Sequence, residues 1–304
     1  MGCRLNAWIV LLGLASVPAA AVTETAAVQD EEFFEPEFAS PTTFDRVGRI
    51  VAPVLINGLG PFRLVVDTGA NSTTLTTSLA DKLGIDYLNA DTVILNGVTG
   101  SSVVPRVHID SIELGALTLK EQPVMIVTPE VMANADGILG VAGLRDKQLV
   151  VDFKRDEVSI HRSRQVSSKY ISIRARRVAG GLLVAPARLG GVRTLVVIDT
   201  GAESTLGNRA LQRALRSSDE KRHTVSVLGT TPHIATGDVV RVEDFLLGGA
   251  RVSNARVIFG DFHVFSVWEL TDQPALILGM DIIGTVDTLV IDFRLRRISI
   301  GNDI

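Results

Sequence analysis

Cysteine is nearly absent from this chain of 304 residues. Its one cysteine, Cys3, lies in an N-terminal segment that we expect to be removed, so the mature protein would carry no thiol, no disulfide and no thiolate metal site. The histidines are also few and dispersed, without a His-Glu-x-x-His pair, and no metal is expected. The five are His108, His161, His223, His233 and His263.

Aromatic residues and net charge are also scarce. Only 5% of the residues are aromatic, whereas 46% are hydrophobic, and valine, isoleucine, leucine, threonine and glycine are plentiful. This composition favours short strands and glycine turns over long helices, in enough chain for two domains. The formal net charge is −4 and there is no basic excess, so nucleic acid is not an expected partner.

The N-terminus has the pattern of an export signal. Arg4 precedes an apolar run over residues 7–17, and a proline followed by small residues ends at Ala21, where cleavage is expected. An uncleaved membrane anchor is the alternative, but the run is shorter than the roughly 20 residues that a spanning helix needs. A signal peptide over residues 1–21, in a protein without disulfides, favours export to a bacterial periplasm.

Residues 22–46 form an acidic leader. They contain seven acidic residues against one arginine, and aromatic residues are interspersed among the acids of residues 32–38. Such a segment is either a solvated leader or a prosegment that docks on the body of the protein. Both interpretations stay open from the sequence.

The body of the chain is an internal repeat. An apolar strand leads into Asp-Thr-Gly-Ala at Asp67 and again at Asp199, and Ile-Leu-Gly follows at residues 138–140 and 277–279. The offset between the copies changes little along the chain, which indicates two homologous lobes with a few loop insertions. We expect lobes over residues 47–165 and 166–304, with the boundary in a polar stretch around residues 163–169.

Within each lobe, local patterns predict a short helix after the aspartate turn and then half-buried strands. The helices are expected over residues 78–83 and 209–215. The alternation of apolar and polar residues over 102–109 and 239–245 is typical of strands with one buried face.

The duplicated Asp-Thr-Gly-Ala turns, each followed by Ile-Leu-Gly, resemble the pepsin and retropepsin-like aspartic proteases. The resemblance covers residues 49–301 and implies a mainly β, bilobal fold with two β-barrel-like lobes and short helices. It also implies that Gly140 and Gly279 pack closely under the aspartate loops. Because both motifs lie in one chain, a monomer that needs no cofactor and acts on an extended polypeptide is expected.

The chemistry of a paired-carboxylate site follows from the acids themselves. Two carboxyl groups within hydrogen-bonding distance cannot both ionise cheaply, so the pair keeps one proton. Asp67 and Asp199 would then activate a water for attack on a peptide carbonyl, one as base and the other as acid. The alternative is a catalytically inactive peptide-binding or adaptor protein of the cell envelope that keeps the fold.

The residues beside the aspartates have supporting roles by the same resemblance. The threonines would interlock across the lobes, the glycines would let backbone amides approach the carboxylates, and the alanines lack the hydroxyl that many pepsin-like enzymes carry there. Loss of that hydrogen bond predicts activity at milder acidity than that of a gastric enzyme. These residues are Thr68, Gly69, Ala70, Thr200, Gly201 and Ala202.

A flap over the cleft is expected at a glycine-rich turn in the first lobe. The turn contains no tyrosine, unlike a pepsin flap, and is either a retropepsin-like flap or an ordinary hairpin turn. The corresponding stretch of the second lobe is residues 228–232. The first-lobe turn consists of Gly97, Val98, Thr99 and Gly100.

Overall fold

A computed structural model describes residues 36–41, 43–44, 48–132, 134–178, 181–215 and 223–301. The predicted signal peptide and most of the predicted leader lie outside the described residues. Those that are described belong to one compact unit and are mainly β, as predicted from the composition. None of the helices in this part of the chain combines the length and the apolar content needed to cross a bilayer.

The first half of the described chain contains eleven strands, one α-helix and two 3-10 helices. The strands are β1 (Phe38–Pro41), β2 (Thr43–Phe44), β3 (Ile50–Ile56), β4 (Leu59–Val66), β5 (Thr73–Thr76), β6 (Thr92–Asn96), β7 (Ser101–Leu114), β8 (Leu117–Val127), β9 (Gly137–Leu139), β10 (Lys147–Asp152) and β11 (Glu157–Arg162). The helices are α1 (Thr77–Lys82) and the 3-10 helices Pro129–Val131 and Val141–Leu144.

The second half of the described chain contains eleven further strands and three short helices. The strands are β12 (Ile171–Arg174), β13 (Arg176–Arg177), β14 (Leu183–Leu189), β15 (Val192–Ile198), β16 (Leu206–Asn208), β17 (His223–Leu228), β18 (Ile234–Leu247), β19 (Ala250–Gly260), β20 (Ala275–Leu278), β21 (Thr288–Asp292) and β22 (Arg297–Gly301). The helices are α2 (Arg209–Ala214), α3 (His263–Val267) and α4 (Met280–Ile283).

The two halves contain eight-stranded sheets with the same strand order. The order β2-β3-β4-β9-β5-β8-β7-β6 in the first half matches β13-β14-β15-β20-β16-β19-β18-β17 in the second, element for element. Each sheet also closes on itself through one extra pairing, β3 with β7 and β14 with β18. The repeat seen in the sequence is therefore a repeat of topology.

A third sheet joins the two halves. Its order is β1-β11-β10-β21-β22-β12, so β10 of the first half pairs directly with β21 of the second. β1, which the sequence pattern groups with the acidic leader, occupies one edge and β12 the opposite edge. Glu37 adds an ion pair of 2.9 Å with Lys147 beside β1. The domain boundaries stay predictions.

The helices that follow the two aspartate turns begin at side-chain caps. Thr76 Oγ1 accepts a hydrogen bond of 3.2 Å from the amide of Leu79, and Asn208 Oδ1 accepts one of 2.8 Å from that of Leu211. Gly84, at φ +66°, follows the end of α1. Both helices agree with their predicted bounds to within one residue.

The expected half-buried strands are the long strands β7 and β18, each 14 residues long. Val107 and Ile109 on β7 are buried, while His108 between them is exposed. This alternation places one face of the strand on the core and the other toward solvent.

Candidate active site

The two Asp-Thr-Gly turns lie at equivalent ends of two parallel strand pairs. β4 runs parallel to β9 and leads to Asp67, and β15 runs parallel to β20 and leads to Asp199. The amide of Asp67 donates to Leu139 O at 3.1 Å, and that of Asp199 donates to Leu278 O at 3.0 Å. The Ile-Leu-Gly strands therefore hold the aspartates at the backbone.

The glycines of the Ile-Leu-Gly segments pack against the aspartate loops. A Cβ on Gly140 would lie 2.5 Å from the carbonyl carbon of Ser72, and one on Gly279 would lie 2.6 Å from that of Ser204. No side chain fits at such a separation from backbone atoms. The close-packing role expected for both glycines is what the geometry requires.

The threonines of the two turns form reciprocal hydrogen bonds. Thr68 Oγ1 donates to Ile198 O at 2.7 Å, and Thr200 Oγ1 donates to Val66 O at 2.6 Å. Each hydroxyl also accepts a hydrogen bond of 3.1 Å from the amide of the other threonine. Because both threonines are buried, this network fixes the separation of the two turns.

Asp67 and Asp199 meet at the centre of this network. Their side chains share a hydrogen bond and are only 9% and 7% exposed. Asp67 Oδ1 accepts from the amide of Gly69 at 2.8 Å, and Asp199 Oδ1 accepts from that of Gly201 at 2.9 Å. A Cβ on either glycine would overlap the carboxyl group of the opposite aspartate, so only glycine fits at these positions.

The electrostatics of the pair are asymmetric. Burial raises the pKa of Asp199 well above its ordinary value, and the charge on Asp67 and the hydrogen bond between them raise it further. Burial also raises the pKa of Asp67, but the hydrogen bonds from Asp199 and Gly69 and the positive charge of Arg49 oppose that increase. Arg49 therefore favours the carboxylate form of Asp67, and burial favours the protonated form of Asp199.

The pair lies in a cleft of about 1050 Å³. Two hairpins line it, one joining β6 to β7 and the other joining β17 to β18. The predicted flap is the tip of the first hairpin, where the amide of Gly97 donates to Gly100 O at 2.8 Å. Thr99 Oγ1 lies 3.2 Å from Thr231 Oγ1, so the two hairpin tips contact each other.

Several residues that line this cleft were not singled out from the sequence. Arg49 is 7% exposed and donates to Met132 O at 2.8 Å, and α3 contributes Val264 and Val267 with the adjacent Trp268. Arg49 could have been found as a break in the repeat, because the equivalent position of the second half is Leu182. Nothing in the local pattern around α3 marks it as part of a site.

Two of the five histidines lie against the hairpin formed by β6 and β7. His263 Nε2 lies 3.0 Å from Asn96 Oδ1, and a Cβ on Gly100 would lie 2.6 Å from the ring of His233. Across the described part of the chain, His, Cys, Asp and Glu side chains form no group of three or more that could hold a metal ion.

Comparisons with known proteins agree with this geometry. A family model described as aspartyl protease matches residues 52–142 and 185–282, more than half of the chain and both Asp-Thr-Gly turns. DNA damage-inducible protein 1 of Eremothecium gossypii is 29% identical over 133 residues, which are 43% of this chain and 27% of that protein. Protein DNA-DAMAGE INDUCIBLE 1 of Arabidopsis thaliana is 27% identical over 123 residues, 40% of this chain and 28% of that protein.

The match thus covers a little over a quarter of each of these relatives. The family model, in contrast, includes both halves of the repeat and the two Ile-Leu-Gly segments that support the aspartates. On that match, this chain belongs to the aspartyl protease family.

Proposed function

We propose that this protein is an aspartic endopeptidase that hydrolyses peptide bonds of extended polypeptides with a water activated between Asp67 and Asp199. The observation that carries this proposal is the hydrogen-bonded, buried pair of carboxyl groups at the base of a cleft between two hairpins. Membership of the aspartyl protease family supports the general class of activity.

The proposed reaction uses the proton asymmetry of the pair. Asp67 takes a proton from the water as its oxygen attacks the carbonyl carbon, and Asp199 donates its proton to the carbonyl oxygen. Collapse of the resulting diol breaks the C–N bond, the proton on Asp67 passes to the leaving amine, and a diol hydroxyl returns the proton to Asp199. The amides of Gly69 and Gly201 hold both carboxyl groups in place.

The cleft suits an extended peptide. The hairpin tips at Gly97 and Gly229 supply backbone groups that can pair with a substrate strand, and the walls supply side-chain subsites. Closure of the hairpin tips over the peptide bond to be cleaved excludes bulk water from the carboxyl pair. Because one chain carries both aspartates, we propose that a monomer is active.

Substitution of each aspartate tests the proposal. Asp67→Asn and Asp199→Asn should each reduce peptide cleavage by about 10²–10⁴-fold, since general acid-base catalysis contributes about that much. Asp110→Asn, an exposed carboxylate on β7, is the matched control and should cleave like the parent. If the parent cleaves no peptide, or if both active-site variants retain its rate, the endopeptidase proposal fails.

The second candidate is an inactive peptide-binding or adaptor protein of the cell envelope. The cleft and its hairpins would serve such a role as well as hydrolysis. Binding of an unmodified peptide without cleavage, at every pH where the protein is folded, would favour it. The presence of both aspartates and of the proton asymmetry is the reason to prefer the enzyme.

Export and removal of residues 1–21 remain part of the proposal. The N-terminal sequence of protein recovered from the periplasm of a bacterial expression host would identify the mature start. An effect of the leader on activity is best tested by comparing chains that begin at residues 22 and 36. A start at Arg46 would also delete β1 and β2.

A further inference from the structure

The two walls of the cleft differ at positions that the repeat makes equivalent. The register of β5 with β8 corresponds to that of β16 with β19. This correspondence places a polar residue of the first half at the same position as an apolar residue of the second. The register of β7 with β8 corresponds in the same way to that of β18 with β19 and gives a second such pair of positions. Alignment of the starts of β3 and β14 gives a third. The three pairs are Thr74 with Leu206, Arg106 with Val239, and Arg49 with Leu182.

The first-half wall combines an apolar floor with polar groups. Met125 and Ile138 supply the floor, and Thr74 beside them is only 3% exposed. The hydroxyl of Thr74 is buried and has no hydrogen-bond partner among the described residues. A buried hydroxyl without a partner is costly, so an acceptor supplied by a ligand would be favoured here.

Positive charge lies on the same wall. Arg106 is exposed on β7 and lines the cleft, and Arg49 is buried beside Asp67. Glu130 is also exposed along this wall, but none of the described contacts is an ion pair between it and Arg106. A substrate carboxylate would therefore meet Arg106 without first displacing a protein carboxylate.

The opposite wall includes the exposed Glu203 beside its aspartate turn, but it is apolar around Leu206 and α3. Leu206 and Ile258 stand where the first half has Thr74 and Met125, and α3 adds valine side chains beside Trp268. This wall suits a large aliphatic or aromatic side chain.

We propose, on the basis of the proposed function, that the cleft selects substrates with an acidic side chain against the first-half wall and a large apolar side chain against the second. Glutamate fits the first wall best, because its methylene stem can lie on Met125 and Ile138 while its carboxylate reaches the Thr74 hydroxyl and Arg106. Lysine at the same place would bring its charge toward the guanidinium groups. Because the two walls differ, the acidic and the apolar side chain of the substrate should each always lie on the same side of the cleaved bond.

Two sets of peptides test the proposal. One set varies glutamate, glutamine and lysine immediately before the cleaved bond with leucine or phenylalanine after it, and the other set reverses the order. In one set only, the glutamate peptide should exceed the lysine peptide by about fivefold in kcat/KM, the size expected for a partly exposed ion pair. The difference should shrink at high salt.

Charge reversal at Arg106 gives the decisive variant. Arg106→Glu should invert the preference to lysine over glutamate, and Arg241→Glu, which changes an exposed arginine of β18 outside the cleft lining, should leave it unchanged. An unchanged preference in Arg106→Glu, or equal rates for all three side chains in the parent, would overturn the inference. Cleavage that still depends on Asp67 and Asp199 would then leave the proposed function standing.

Binding provides a measurement that does not depend on catalysis. The same peptides, with the central bond reduced to a methylene-amine, should bind with the same order of affinity in fluorescence anisotropy. If the parent binds them without cleaving the natural peptides, the order of affinity still decides the inference while the enzyme proposal fails. If it binds all of them equally while it still cleaves the natural peptides, the inference fails and the enzyme proposal stands.

Discussion

At the residue scale, the pair of aspartates is placed symmetrically but is charged asymmetrically. Both carboxyl groups accept a hydrogen bond from a backbone amide in the same way, but the positive charge of Arg49 opposes the rise in the pKa of Asp67. The position equivalent to Arg49 is Leu182, which carries no charge. These surroundings favour the proton on Asp199, a preference that the duplicated motif alone does not show.

The raised pKa of Asp199 has a consequence for folding stability. A folded-state pKa above the unfolded value stabilises the fold at low pH, and this contribution is lost as pH rises through the folded pKa. We expect the free energy of unfolding of the parent to fall as pH rises from the unfolded-state pKa of Asp199 to its folded-state pKa. That of Asp199→Asn should fall less over the same pH interval. Urea unfolding from about pH 4 to about pH 8 measures both.

Asp110→Asn is the control for that comparison and should follow the parent. A fall in Asp199→Asn as large as the fall in the parent would contradict a raised pKa of Asp199.

The alanines after the glycines are expected to influence the pH at which the proposed enzyme works. Their amides reach the carboxyl groups, but their side chains cannot donate a hydrogen bond. We expect Ala70→Ser and Ala202→Ser to supply such a bond to the ionised carboxylate, which lowers the pKa of the pair and moves the optimum to more acidic pH. The pH dependence of kcat/KM on one peptide measures this shift.

Ala116→Ser, at the turn between β7 and β8, is a control that leaves the cleft unchanged. An optimum of the parent near pH 2 would contradict the expectation of milder acidity, as would an alkaline shift in both serine variants.

At the element scale, the two hairpins are placed to act as a pair of flaps under the proposed function. Each consists of a short strand antiparallel to a long one, β6 with β7 and β17 with β18. The contact between Thr99 and Thr231 joins the tips, and glycines at Gly97 and Gly229 allow them to approach closely. Under the proposed function, their contact closes the cleft over a bound polypeptide.

Removal of the hydroxyl contact between the tips should weaken substrate binding. Thr99→Val and Thr231→Val should each raise KM by about twofold to tenfold, because a hydrogen bond of this kind contributes about 0.5–1.5 kcal/mol. The double variant should raise KM no further than the single variants, since both remove the same contact. Steady-state kinetics on one peptide measure KM for the parent, the two single variants and the double variant.

Thr118→Val, on the exposed face of β8, is the matched control for removing a threonine hydroxyl. Strictly additive effects of the two flap substitutions would show that the contact between the tips does not contribute to binding.

At the scale of the whole molecule, the six-stranded sheet joins the two halves within one compact unit. Leu149 of β10 pairs with Ile291 of β21, and both are buried. The aspartates belong to different halves, so their separation depends on this sheet as well as on the threonine network. Loss of the sheet would separate the two carboxyl groups.

A cavity at the junction should therefore affect stability and activity together. We expect Leu149→Ala to lower the free energy of unfolding by about 2–5 kcal/mol, the usual cost of such a buried truncation. Unfolding should stay a single transition that coincides with the loss of cleavage. Circular dichroism and activity, followed over the same urea series, test this expectation.

Leu88→Ala, at a side chain that is 84% exposed, should change neither quantity. Two separate transitions, or a change in Leu149→Ala as small as that of the control, would contradict a shared folding unit.

The local and periodic features of the chain could be predicted directly from the sequence. Asp-Thr-Gly and Ile-Leu-Gly recur in order, and the structure brings Asp67 to Asp199 and packs Gly140 under its loop. The short helices and long strands were also predictable, because capping residues and alternating burial act over a few neighbouring residues. The signal peptide and the lobe boundaries remain predictions.

Residue type and spacing along the chain are enough to predict the mainly β composition, the internal repeat and the two candidate acids. The place of β1 in the central sheet, the contact of Thr99 with Thr231 and the effect of Arg49 on Asp67 became visible only in the folded chain. These contacts join residues far apart in the chain, and no local pattern encodes their distance. The proton asymmetry has the same origin, since burial and neighbouring charge set a pKa only once the fold has formed.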